Sequence, residues 1–128
     1  MVIVRPLLIA LGGALIASAS AAWAAPTADA ARGKALFSRC AGCHASAAGK
    51  RSIGPHLSKI VGRKAASVTP FAYSPAFTRL KIVWDRGTLD KFLASPQKMG
   101  PGSNMAFAGM TDAAQRADLI AYLATLQD

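Results

Sequence analysis

The chain has 128 residues, 52% of them hydrophobic, with 15 Lys and Arg against 6 Asp and Glu for a formal charge of +9. That length supports a single domain, and a disulfide between the only two cysteines, three apart, would close too short a loop to staple a fold. The basic balance favours acidic partners, and an exported chain makes nucleic acid a poor one.

The opening MVIVRPLLIALGGALIASASAAWAAPTADA has a short basic start at Arg5, an apolar stretch from about Leu7 to Ile16, and a run of small residues. This is the order of a secretory signal peptide. The small-x-small pattern Ala22-Trp23-Ala24 predicts cleavage after Ala24, so that residues 1–24 are the signal and 25–128 the mature domain. An uncleaved anchor is the alternative, because Leu7 to Ala25 is uncharged and long enough to span a bilayer. Its second half is alanine and serine rather than leucine or valine, which weakens insertion. A cleaved chain has no stable membrane insertion and belongs in the periplasm.

Within the mature domain the spacing predicts a helix over about 28–41, capped by Thr27 or Asp29, with Gly33, Leu36, Phe37 and Cys40 on one face. A single helical turn is expected over Leu57–Val61. Ser74-Pro75 reads as the cap and first residue of a short helix to about Ile82, and Asp85 caps another carrying Leu89, Phe92 and Leu93 until Pro96 stops it. Thr111 is the expected cap of a last helix to about Leu126, striped by Leu119, Tyr122, Leu123 and Leu126. No run of alternating β-branched residues predicts a strand. The reading is all-α, about four to five helices and extensive loops, with too little apolar stripe for 104 residues unless something else fills the core.

The filler is indicated by Cys40-Ala41-Gly42-Cys43-His44, the C-x-x-C-H attachment signature of c-type haem. At a helix end, residues three apart fall on one side, so two thiols can form thioethers with one porphyrin while the next residue reaches the iron. Three other readings compete. A thioredoxin-like pair belongs at a helix start in a strand-rich chain, and a zinc site would need His56 as its fourth ligand. A disulfide is the third. A far-side iron ligand could be Met99, Met105 or Met110, and Met105 has the most suitable setting, in the turn-rich loop Pro101-Gly102-Ser103-Asn104-Met105.

With these residues placed, the chain resembles the class I cytochromes c, the small soluble type related to mitochondrial cytochrome c and photosynthetic-bacterial cytochromes c. The likeness rests on GKALFSRCAGCH, IGPHL, VGRK, FAYSPAF, Trp84, TLDKFLASPQK, PGSNMAF and RADLIAYL in that order. It implies one covalent haem c on Cys40 and Cys43, with His44 and Met105 as axial iron ligands and the Pro55 carbonyl orienting His44. It further implies that Arg63, Tyr73, Ser74, Trp84 and Ser103 contact the haem propionates, and that Gly33 and Phe37 meet Leu119 and Tyr122 where the first and last helices cross.

Two departures stand out. Relatives commonly place a tyrosine hydroxyl and an asparagine near the methionine sulfur, where this chain has Phe92 and Phe77, so a drier distal side is expected. Relatives also ring the haem edge with lysines, whereas here only Arg39, Lys98 and Lys50 or Arg51 occupy ring-like positions, and Gln97 and Asn104 replace lysines. The functional reading is a mono-haem one-electron carrier, not an enzyme, working between redox proteins of a respiratory or photosynthetic chain. Its partners would be a cytochrome bc complex, a terminal oxidase, a photosynthetic reaction centre or a dehydrogenase, met through acidic docking surfaces. Two alternatives are a dedicated cytochrome subunit of a periplasmic dehydrogenase, and a haem enzyme or gas sensor whose methionine ligand is displaceable.

Overall fold

A computed structural model describes residues 26–127. The signal-peptide reading of residues 1–24 lies outside the described residues. Six short helices follow in order: α1 (Ala30–Leu36), α2 (Ser38–Ala41), α3 (Pro75–Thr78), α4 (Arg86–Ala94), α5 (Pro96–Met99) and α6 (Ala113–Leu123). Among the described residues, β pairing is confined to one isolated bridge between Lys64 and Val83, and no helix is long and apolar enough to cross a membrane.

The caps explain most helix starts. The Asp29 carboxylate accepts from the Arg32 amide at 2.9 Å, Asp85 from that of Thr88 at 2.7 Å, and Asp112 from those of Ala114 and Gln115. Such caps satisfy amides that the first helical turn leaves without partners. Asp112, not the expected Thr111, caps α6, because its carboxylate reaches two amides at once.

Other boundaries differ from expectation for local reasons. The single helix expected over 28–41 divides at Phe37, whose carbonyl accepts both the Cys40 amide (2.8 Å) and the Ala41 amide (3.0 Å), tightening the chain to a three-residue turn. The helix expected to reach Ile82 ends at Thr78, since the chain beyond it extends to lay Ile82 and Trp84 beside Ala65 and Arg63. Leu57–Val61 forms turns rather than a helix; Lys59 has φ +52°, which a right-handed helix does not admit. Pro96 stops α4 as expected and then opens α5 at its first position. The last helix ends at Leu123, short of Leu126.

The core is centred on Leu119, which is fully buried, and gathers Phe37, Leu89, Phe92, Leu93, Trp84, Ile120 and Leu123. α1 crosses α6 at Gly33, where a Cβ would collide with the Asp118 carbonyl and come within 2.8 Å of the Tyr122 Cβ. The Phe37 and Tyr122 rings pack at 5.3 Å beside that crossing. Asp118 is buried in it as well, and accepts from the Asp29 amide (2.7 Å) and from Arg32 Nε (2.7 Å) and Nη2 (3.0 Å). Each helix thus supplies half of a polar clamp over an apolar contact.

Candidate haem site

Leu119 and Leu123 of α6 form part of the wall of a cleft of about 320 Å³, within the size range of cofactor sites. Arg39, Cys40, Cys43 and His44 line one side of it. Leu57, Ile60, Phe77, Trp84, Leu89, Phe92 and Leu93 supply much of its apolar interior, and Asn104, Met105 and Phe107 come from the loop after α5.

Cys40 and Cys43 are not joined to each other, which leaves the disulfide alternative without support. Burial pushes the Cys40 thiol up from its ordinary value, outweighing the opposing effect of Arg39. Cys40 is therefore not the depressed-pKa nucleophile that dithiol exchange uses.

His44 is fixed from behind. Its Nδ1 lies 2.7 Å from the Pro55 carbonyl, and since a carbonyl can only accept, Nδ1 carries the proton. The Nε2 lone pair is then free for a metal. The loop making this contact is tied back to the motif by Gly54 N–H to the Cys43 carbonyl (2.6 Å) and Leu57 N–H to the Ala45 carbonyl (2.8 Å). Gly54 is a site residue that the sequence reading did not single out. A Cβ there would stand 2.6 Å from His44 Cε1, so only glycine lets the ring lie flat against this loop. The Gly-Pro pair that begins ten residues after His44 is the visible signal, but its contact with the ring is tertiary.

Of the three methionines downstream of the motif, Met105 lines the cleft, whereas Met99 and Met110 do not. Met110 is buried beside α4, its amide bonded to the Leu93 carbonyl at 2.7 Å. The Met105 carbonyl accepts from the Phe107 amide at 3.0 Å, within its own loop, and Gln97 Nε2 stands 3.4 Å from it.

The residues expected at the propionates separate into two groups. Arg63, Tyr73, Ser74 and Trp84 all line the cleft, and Ser103 lies outside that lining, with its hydroxyl 3.4 Å from Gln97 Nε2. Arg63 donates to the carbonyls of Ser58 (2.6 Å) and His56 (2.9 Å), which fixes its guanidinium without neutralising it. Burial lowers its pKa, with Tyr73 acting the other way. The Ser74 hydroxyl oxygen is buried with no hydrogen-bond partner. A half-buried cation and an orphaned hydroxyl on one wall fit a group carrying anionic oxygens. His56 does not line the cleft, and burial and the charge of Arg63 lower its pKa.

Two cysteines not joined to each other, a proton-fixed histidine and a methionine thioether around one apolar cleft define a c-type cytochrome. The cytochrome c family model matches residues 30–127, and the chain belongs to that family. It is 48% identical over 101 residues to cytochrome c of Euglena viridis, covering 78% of this chain and 99% of that protein. It is 40% identical over 116 residues to cytochrome c2 of Rhodomicrobium vannielii, 90% of each chain. The structure of cytochrome cH from Methylobacterium extorquens superposes with a TM-score of 0.71 at 39% identity, covering 76% of this chain and 98% of that one. The fold is that of the class I cytochromes c, and the chain is a mono-haem electron carrier, not an enzyme, with one covalently bound haem c. Its partners are redox proteins of an electron-transport chain.

Proposed function

We propose that Cys40 and Cys43 would hold the haem through thioethers, that His44 Nε2 and the Met105 sulfur would bind its iron, and that the chain works in the periplasm after losing residues 1–24. The observation that carries the ligand assignment is the 2.7 Å contact from His44 Nδ1 to the Pro55 carbonyl, which leaves Nε2 as the one basic nitrogen of the ring. That hydrogen bond also raises the basicity of the coordinating nitrogen. When bound, the haem supplies a Fe(II)/Fe(III) couple for one-electron outer-sphere transfer, and a thioether ligand favours a fairly high potential.

The chain's own residues keep that couple in place. Phe77, Trp84 and Phe92 pack edge to face, with centroids 5.8 Å apart for Phe77–Phe92 and 5.0 Å for Trp84–Phe92, and keep water from the interior. Arg63, Tyr73, Ser74 and Trp84 receive the propionates on the cleft wall. Ser103 reaches them by turning its hydroxyl from Gln97 toward the cleft. The exposed basic surface steers acidic redox partners, a cytochrome bc complex, terminal oxidase, reaction centre or dehydrogenase, to the haem edge.

An absorption spectrum of the purified holoprotein tests the ligand set. A low-spin spectrum with a ferric methionine-to-iron charge-transfer band is expected. A high-spin ferric spectrum would overturn it in favour of an enzyme or gas sensor. For docking, the second-order rate with an acidic partner should fall with salt; a flat rate would remove the basic surface from that role.

A further inference from the structure

The loop that carries Met105 is fastened unequally at its two ends, and at the firm end one side chain adds three donations to the bond from Met110 N–H to the Leu93 carbonyl (2.7 Å). At the near end, Gly100 N–H reaches the Pro96 carbonyl at 2.9 Å, and Ser103 N–H turns back to Gly100 at 3.0 Å. Gln97 adds only its two 3.4 Å contacts. At the far end, Arg116 on α6 donates through Nη1 to the carbonyls of Met110 (2.8 Å) and Thr111 (2.9 Å), and through Nε to Asp90 Oδ1 of α4 (2.7 Å). Its side chain is 11% exposed. Gly109, at φ +104°, lies so close to the end of α4 that a Cβ would stand 2.7 Å from the Ala94 carbonyl.

We propose that Arg116 is a positioning residue for the iron's methionine ligand: a guanidinium strap that pins residues 110–111 to α4 and α6, and thereby limits how often Met105 leaves the cleft. The inference rests on Met105 being the ligand. Its physical basis is the charge-assisted, three-way donation from a planar fork, which lysine cannot reproduce in full. With 110–111 pinned, four residues separate the post from Met105, and opening must hinge near Gly100–Gly102. With the strap cut, the far end keeps the Met110 N–H to Leu93 carbonyl bond but loses the guanidinium's hold on the Met110 and Thr111 carbonyls, and yields more readily.

The test is binding of imidazole to the ferric holoprotein, whose displacement of the methionine is followed by loss of the methionine-to-iron band. Arg116→Met should bind imidazole at least about tenfold more tightly, the equilibrium effect of losing hydrogen bonds from a charged donor. Arg116→Lys should fall between it and the parent protein. Arg32→Met is the control, since it cuts the Arg32–Asp118 clamp of the α1–α6 crossing and leaves the loop's post intact. It should lower the melting temperature with little change in imidazole affinity. The proposal is overturned if Arg116→Met binds imidazole no more tightly than the parent, or if Arg32→Met gains as much. A parent protein that lacks the methionine band would remove the ligand assignment itself, and the strap with it.

Discussion

The α1–α6 corner and the loop shell around the cleft are held together in different ways. In the corner, Gly33 brings two helix backbones into contact, Leu119 is fully buried, and the Asp118 carboxylate has three donors. The shell, residues 42–74 and 100–109, contains no helix among its described residues and is carried by scattered backbone bonds and by side chains that face the cleft. The corner can be assembled from its own contacts; the shell encloses a space its own side chains do not fill. The difference teaches that this chain encodes a scaffold and a wrapping, and that the cofactor completes the second.

The largest break in that comparison should come from Cys40→Ala with Cys43→Ala. With no thioether attachment the shell loses its filler, and calorimetry should find no cooperative unfolding transition for the chain. A sharp transition near the parent's would show that the shell stands alone.

Within the corner, Gly33→Val should cost about 3 kcal/mol, at the upper end of overpacking, because the colliding atoms are backbone. Denaturant titration of the holoprotein would measure it, and an unchanged midpoint would mean that the crossing can open without penalty.

The corner should also be the acid-sensitive region. Hydrogen bonds from Arg32 and from the Asp29 amide hold the Asp118 carboxyl below its ordinary value. A depressed carboxylate contributes stability above its unfolded pKa, and that stability is lost as pH falls through the folded value. Thermal stability should therefore decline from about pH 4 downward, with part of the decline absent in Asp118→Asn. An identical acid limb in both proteins would place the sensitivity elsewhere.

The smallest effect sharpens the account of the shell's interior. Phe92 faces the cleft between Phe77 and Trp84, where no hydroxyl of its own can reach a sulfur. A hydroxyl introduced by Phe92→Tyr should hydrogen-bond the methionine sulfur and make it a weaker donor to ferric iron. At about 1 kcal/mol for the bond, the midpoint potential should rise by roughly 40 mV for a one-electron couple. Potentiometry finding no rise would count against a dry distal side.

What was legible in the sequence follows the range of the interactions concerned. Cys40, Cys43 and His44 could be grouped because their pattern spans only five residues, and the structure brings all three to one cleft. Asp29 and Asp85 were readable as caps for the same reason: each bonds an amide three residues ahead. The all-α class was anticipated from helical spacing and the lack of a strand pattern, and the Gly33–Phe37 meeting with Tyr122 from the family likeness, although the Asp118 carbonyl lies closest to Gly33. Arg32 and Arg116 were not singled out, because their partners Asp118 and Asp90 lie 86 and 26 residues away. Lys59 broke an expected turn of helix through a left-handed backbone that its residue type does not announce. Ser103 sits in the loop where it was expected, but its hydroxyl is near Gln97.

The choice of Met105 over Met99 and Met110 is the central claim, and three single substitutions decide it. In Met105→Leu the ferric methionine-to-iron band should vanish and the midpoint potential should fall, while Met99→Leu and Met110→Leu should keep the band. Persistence of the band in Met105→Leu, or its loss in either of the others, would contradict the account.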